Sequence, residues 1–288
     1  MSTEIEILKQ LRDLTGAGIL DCKKYLNQAN NDLDEAVKLM RSEEGIKADK
    51  KSSRVAAEGV VYFQSSDSKS ILIEINSETD FVARSNDFIE YVKQTCDMIM
   101  STKYQNMSEL QDDVNQGINE SLESLRKKYV TKLGENIQIR RFEALSEQNG
   151  FVSGYTHNNK IGAVIVTKDK DAQLSKDICM QIVASNPIAI DEKSIDQSIL
   201  DSEKDIYRAE LSKLDKKDDI KRNILEGKIK KFISENTLIN QPFIKDGSIT
   251  LKKILSTNQI LSYQRYQLGE GIDKKEEDFA EEVYSQIK

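Results

Sequence analysis

The sequence predicts an α+β fold, and three features carry that expectation. One pattern occurs twice: strand, polar turn, strand, loop, amphipathic helix. Residues 1–48 show only helical spacing, and residues 191–233 combine many charges with a sparse apolar stripe. Strands that come in hairpins, with helices after them, favour small antiparallel sheets covered by helices over a doubly wound parallel sheet.

The elements follow in order. Ile5, Leu8, Leu11 and Leu14 have helical spacing, and Gly16 and Gly18 break the run. Ile19, Cys22 and Leu26 make a second helix, and Leu33, Ala36, Val37 and Met40 a third. Asn31 or Asp32 is placed to cap that third helix, with Glu35 near the capping-box position. Three short helices of this kind form a compact bundle. Residues 48–57, with Lys50, Lys51 and Arg54, are expected to form a polar, basic linker.

The first copy of the repeated pattern runs from Gly59-Val60-Val61-Tyr62-Phe63 through the strand at 71–75 to a helix carrying Phe88, Val92, Cys96 and Ile99. The second runs from Phe151-Val152-Ser153-Gly154-Tyr155 through the turn His157-Asn158-Asn159-Lys160 and the strand at 161–166 to a helix with Leu174, Ile178 and Ile182. A helix with Ile118, Leu122, Leu125 and Tyr129, then the strand at 137–140, complete the first half. The core is therefore expected to be two related subdomains.

In residues 191–233, Ile195, Ile199 and Ile206 ascend one helix and Ile220, Ile224, Leu225, Ile229 and Phe232 descend another, with Asp215-Lys216-Lys217-Asp218-Asp219 between them. So thin a stripe suits a protruding antiparallel hairpin whose seam is its only core. Two ordinary surface helices fit the same pattern. Gln241-Pro242-Phe243 introduces a short strand or loop region, and Phe279, Val283 and Ile287 space a C-terminal amphipathic helix.

Composition narrows the function. The chain has 288 residues, 32% charged and 38% hydrophobic, and a formal net charge of −7. Phosphate affinity needs a net basic face, so this balance argues against a general nucleic-acid binder. Glu4, Glu6, Lys9, Arg12 and Asp13 leave no signal-peptide apolar core, and no apolar run approaches a bilayer span, so a soluble chain is expected. Cys22, Cys96 and Cys179 are odd in number and far apart, without metal or redox spacing. Buried reduced thiols in a reducing cytosol fit them. With His157 the single histidine, a multi-histidine metal site is excluded.

No catalytic constellation emerges. Neither a G-x-x-x-x-G-K-[ST] phosphate loop nor a G-x-S-x-G elbow is present. Thr15-Gly16-Ala17-Gly18 follows a helix, whereas a dinucleotide fingerprint follows a strand, and Gly269-Glu270-Gly271 is equally weak for phosphate. His157 on its turn is open to a general-base role or a surface or partner contact.

The most informative stretch is Glu74-Ile75-Asn76-Ser77-Glu78-Thr79-Asp80-Phe81-Val82-Ala83-Arg84. It begins as a buried strand, with Ile71, Ile73 and Ile75 on one face, and breaks into a polar run with a carboxylate beside an aromatic ring. Either a rigid platform presents Asp80 and Phe81 to another molecule, or Phe81 folds into the core and Asp80 caps the next helix. A pure interaction scaffold and a hydrolase or transferase using His157 are the rival classes.

The chain resembles the bacterial elongation factor Ts family, the guanine nucleotide exchange factors of elongation factor Tu, along almost its whole length. Leu11-Arg12-Asp13-Leu14-Thr15-Gly16-Ala17-Gly18-Ile19-Leu20-Asp21-Cys22-Lys23-Lys24 is similar to the family's first signature, and Glu74 through Arg84 to its second, without departure. Further similarities are Asp177-Ile178-Cys179-Met180, Asn186-Pro187, Glu226-Gly227, Gln241-Pro242-Phe243, Lys245-Asp246 and Gly269-Glu270-Gly271-Ile272. Tyr25 replaces the usual small residue, Gln181 stands where the family often has histidine, and Asn158-Asn159 replaces a glycine-rich turn. The last two bear on partner contacts from the second subdomain.

The resemblance implies a ubiquitin-associated-like N-terminal bundle, a core of two similar subdomains, a coiled-coil hairpin and a C-terminal helix. With the residue patterns it divides the chain into bundle and linker (1–54), core subdomain N (55–140), the first part of core subdomain C (141–187), the hairpin (188–228), the return of subdomain C (229–262) and a C-terminal module (263–288). It implies a cytoplasmic translation factor that does no covalent chemistry and holds no cofactor or metal. Its partner is elongation factor Tu, which binds the nucleotide and Mg²⁺; no direct nucleic-acid or membrane contact is implied. Thr79, Asp80, Phe81 and Val82 would enter beside the partner's magnesium site, with Arg12, Ile19, Leu20 and His157 as further partner contacts.

Overall fold

The computed structural model describes residues 4–15, 18–112, 117–146, 148 and 150–272. The helix expected around Phe279, Val283 and Ile287 lies outside these residues. The chain divides into two compact units: one holds the residues up to Tyr62, Ile73–Glu143 and the segment from Gln267 on, the other Phe63–Leu72 and Ala144–Tyr266.

The first unit opens with helices α1 (Glu4–Thr15), α2 (Ile19–Gln28) and α3 (Leu33–Lys51). Their apolar stripes meet in a core of Leu11, Cys22, Tyr25, Leu26, Ala36 and Met40. Asp32 caps α3, its carboxylate accepting the Glu35 N–H at 2.9 Å. Tyr25, the departure from the family pattern, is buried and acts in packing. One expectation is corrected: α3 continues to Lys51, into the stretch expected as linker. Buried Ala48 gives the extension a packing face, and Lys50 and Lys51 suit the negative end of the helix dipole.

A three-stranded sheet follows, in the order β1 (Glu58–Ser65), β2 (Lys69–Ser77), β3 (Gln138–Ser146). As the central strand, β2 buries Leu72 and Glu74 as well as Ile71, Ile73 and Ile75. Gly59 approaches it so closely, at φ 129°, that a Cβ would lie 2.1 Å from the Ile75 carbonyl oxygen. Helices α4 (Asp80–Ala83), α5 (Asn86–Met100), α6 (Met107–Asp112) and α7 (Gly117–Leu133) lie between β2 and β3 in the chain. Buried Tyr91 of α5 packs on Tyr129 of α7 with ring centroids 5.1 Å apart.

In the second unit the pattern recurs. Strands β4 (Phe151–His157) and β5 (Ile161–Thr167) pair antiparallel, from Phe151 opposite Thr167 to His157 opposite Ile161, and helix α8 (Ala172–Ser185) packs across both. Ala163, Ile165, Ile178, Cys179 and Ile182 form the centre of its core. Gly154 leaves room for the ring of Phe63, which a Cβ would meet at 2.4 Å. Helices α9 (Gln197–Ser212) and α10 (Asp218–Asn236) fold back on each other, with a Lys228–Glu210 ion pair and Lys228 over the Tyr207 ring. Within these two helices only Leu211 and Ile233 are buried; Ile199, Ile206 and Ile220, expected along the seam, are exposed instead, and Ile195 is buried but precedes α9, so the seam is narrower than the apolar spacing suggests. The chain returns through β6 (Pro242–Phe243), β7 (Asp246–Thr250) and α11 (Leu251–Leu255) to β8 (Ile260–Gln267), which completes the sheet β4-β5-β8. Among the described residues no helix is long and apolar enough to cross a membrane.

Candidate functional site

The site is built at the end of β2, where the buried strand gives way to residues 78–85. Four backbone positions there need help, because a helix as short as α4 cannot sustain itself on its own hydrogen bonds. Thr79 is its N-cap: the hydroxyl accepts the Val82 N–H at 3.3 Å. Ser85 closes the other end by donating to the Val82 carbonyl at 2.8 Å, and it caps α5 by accepting the Phe88 N–H at 3.2 Å. Ala83 is buried beneath the turn.

The turn is then tied to a distant loop. Glu135, just after α7, accepts both the Thr79 N–H at 3.0 Å and the Thr79 hydroxyl at 2.6 Å, one on each carboxylate oxygen. Glu78 answers in the opposite direction, accepting the Asn136 N–H at 2.6 Å. The loop is fixed in turn by Lys51, which donates to the Gly134 carbonyl at 2.5 Å, and by the Asn136 side chain, which donates to the Arg54 carbonyl at 2.8 Å. Beneath it all, the fully buried Glu74 carboxylate accepts from Arg140 at 2.8 Å, Arg141 at 2.7 Å and the Gly269 N–H at 2.8 Å. A buried carboxylate survives only when so satisfied.

On this frame Phe81 is 85% exposed. The structure removes one reading of the tip: Phe81 does not fold into the core, and Thr79 rather than Asp80 is the cap. Asp80 is half-buried and pairs with Arg84 at 2.8 Å, a contact between partly solvated groups that contributes little and is easily exchanged. Val82 is half-buried beside it.

The other candidate residues are spread more widely. Arg12 is exposed on α1, and Ile19 and Leu20, 54% and 84% exposed, form an apolar pair on the first turn of α2. His157 belongs to the second unit, at the end of β4. Its ring nitrogens lie 3.2 Å from the Tyr155 hydroxyl and 3.3 Å from the Asn158 amide, an arrangement of surface turn residues. Asn158 and Asn159 take φ of 51° and 54°, the left-handed conformation that asparagine tolerates best after glycine, so they serve the turn the family builds with glycines. Gln181 is buried; its amide donates to Gln241 at 3.2 Å and accepts the Ile244 N–H at 3.2 Å, so it holds α8 to the return segment.

Sequence reasoning singled out the turn that exposes Phe81 and missed its supports. Glu135 and Asn136 lie 56 and 58 residues from the groups they bind, and no local spacing marks them. Among the described residues no group of three His, Cys, Asp or Glu side chains could hold a metal ion.

Comparison with known proteins bears on the same residues. The family profile described as Elongation factor TS matches residues 78–270, and one described as UBA-like domain matches residues 2–47. The chain is 40% identical over 293 residues to the elongation factor Ts of Thioalkalivibrio sulfidiphilus, covering 100% of this chain and 99% of that one. It is 39% identical, over the same shares, to that of Methylococcus capsulatus, and 37% identical over 303 residues to that of Clostridium novyi, covering 98% of each. With identity of this order along its entire length, and with the exposed aromatic tip inside the matched region, the chain belongs to the elongation factor Ts family.

Proposed function

We propose that the chain acts as a guanine nucleotide exchange factor on elongation factor Tu, and that residues 79–82 do so by entering beside the partner's magnesium site. Family membership supports the exchange activity. The observation that carries the role of the tip is a large apolar side chain held out in water on a turn that four separate hydrogen-bonding residues make rigid. A single exposed apolar side chain is ordinary at a surface; the support for a partner role is that the turn presenting Phe81 is tied by hydrogen bonds to a segment 56 residues away.

A GTPase retains its nucleotide through backbone amides and a magnesium ion that bridges protein and phosphate. Acceleration of release by ~10⁴-fold needs a barrier lower by about 5.5 kcal/mol. Binding energy serves this only if it is greater in the nucleotide-free state; equal affinity for both states shifts nothing. Burial of Phe81 would contribute roughly 1.5–3 kcal/mol. The gain is differential when the opening exists only after the magnesium-side elements have moved. Asp80 leaves Arg84 at a cost of about 0.5 kcal/mol and perturbs the groups that orient magnesium and its waters. The remainder comes from a wider surface, for which Arg12, Ile19, Leu20 and His157 are the proposed contacts. Because linkage is reciprocal, nucleotide expels this protein as this protein expels nucleotide.

Stopped-flow release of fluorescent GDP from elongation factor Tu, with and without the chain, tests the proposal. Acceleration by the chain is expected. Binding without any change in GDP off-rate would reduce the protein to a scaffold. Asp80→Ala should slow release less than Phe81→Ala, and mainly at saturating magnesium; equal behaviour with and without magnesium would remove Asp80 from the mechanism.

A further inference from the structure

We propose that Glu135 is a positioning residue for the exchange tip: by gripping Thr79 at two points, it fixes the direction in which Phe81 leaves the protein and so sets the rate of nucleotide release. The proposal rests on the reading above, in which Phe81 acts as a wedge beside the partner's magnesium site, and deepens it.

Helix α4 is weak on its own. A single turn of four residues has one costly nucleus and almost no propagation, so its orientation must come from outside. Ser85 and buried Ala83 hold its C-terminal end; at the N-terminal end the Ser77 hydroxyl donates to the Thr79 carbonyl at 3.0 Å, which leaves the Thr79 N–H and side chain to be fixed by another group. A hydrogen bond from one atom of Thr79 would fix its position but not its rotation. The Glu135 carboxylate takes both the N–H and the hydroxyl, one on each oxygen, and so fixes both. The hydroxyl has one proton, which it donates to Glu135, and one of its two lone pairs accepts the Val82 N–H. The direction of the grip is therefore passed into the first turn of the helix, which is where Phe81 sits.

Glu135 is itself held. Its neighbours on either side bind Lys51, Glu78 and the carbonyl of Arg54, so the loop cannot follow the tip if the tip swings. Both carboxylate oxygens are engaged at 2.6–3.0 Å within the protein, which argues for an internal role over direct contact with a partner. Loss of the grip should leave encounter with the partner nearly intact, because that draws on a wider surface. Insertion of Phe81 should then become less frequent.

The test uses the full chain with Glu135→Ala, Glu135→Gln and Phe81→Ala, singly and combined, against elongation factor Tu loaded with fluorescent GDP. The maximal release rate and the half-saturating concentration are read separately. Glu135→Ala should lower the maximal rate about five- to twentyfold, as misplacement of a positioned group does, with half-saturation within about twofold. Glu135→Gln keeps an acceptor oxygen for only one of the two donors and should recover about half of the logarithmic loss, not all of it. In the Phe81→Ala background, Glu135→Ala should add nothing, because it acts through that ring. Independent, multiplying losses, or a loss confined to half-saturation, would overturn the proposal. Should Phe81→Ala leave the rate unchanged, the wedge reading fails; should Phe81→Ala slow release while Glu135→Ala does not, only the positioning role fails. If Glu135→Ala does not fold, as judged by circular dichroism, the isosteric Glu135→Gln carries the same comparison. An unchanged maximal rate for it then overturns the proposal.

Discussion

At the residue scale the tip depends on where carboxylates are spent. Asp80 is exposed enough that its pairing with Arg84 costs little to break. Glu74 is the opposite case, fully buried and gripped by two guanidiniums and a backbone amide. Removing it strands Arg140 and Arg141 with part of their charge desolvated, so Glu74→Ala should cost about 3–5 kcal/mol. Urea unfolding followed by fluorescence would show a clearly lower midpoint; a change within about 0.5 kcal/mol would show that the guanidiniums find water instead. The sequence displayed Glu74 only as one of the residues on the second face of a strand. That it anchors the 267–270 turn could not be read, since the partners lie 66 to 195 residues away.

At the element scale, caps decide what forms. Ser85 joins α4 to α5 with one hydroxyl, donating backwards and accepting forwards. Ser85→Ala should destabilise the first turn of α5 by about 1 kcal/mol, seen as faster amide exchange at Phe88 and Ile89. Unchanged exchange there would mean that packing of buried Phe88 holds the turn unaided. Elements with strong periodicity were legible: α1, α2, α5, α7 and α8, and the two hairpins, all stand where apolar spacing places them. The far end of α3 was not, because Lys and Ala without periodic large side chains look alike in a linker and on a helix. Strand β8 was hidden for a related reason. Only Ile260 and Tyr266 are buried in it, so its sequence ILSYQRYQ lacks a clean alternation.

At the scale of the whole molecule, burial governs the thiols and the response to pH. Cys22, Cys96 and Cys179 form no disulfide and are buried. Desolvation pushes Cys96 and Cys179 from an ordinary 9.0 up to about 12, and raises the Tyr91 hydroxyl in the same direction. The folded state holds these protons more tightly than the unfolded chain. Their contribution to stability is therefore complete below about pH 9, and is lost progressively as pH rises from there toward 12. Urea midpoints measured from pH 8 to pH 10.5 should fall, and less steeply in a Cys96→Ala, Cys179→Ala variant; parallel curves for the two proteins would reject this cause. The α+β class, the bundle and the twofold use of hairpin and helix were visible in the sequence because each rests on local periodicity. The hydrogen bonds that hold residues 78–85 were not, because they join segments that only folding brings together.

The most direct measurement is the rate of fluorescent-GDP release from elongation factor Tu driven by the wild-type chain and by Phe81→Ala, at saturating concentrations of each. Phe81→Ala should fold normally, since its ring packs against nothing that folding needs, and should release GDP about tenfold more slowly or worse, in line with the loss of ~1.4 kcal/mol or more of differential burial. Equal rates for the two chains would contradict the wedge, however well Phe81 is held.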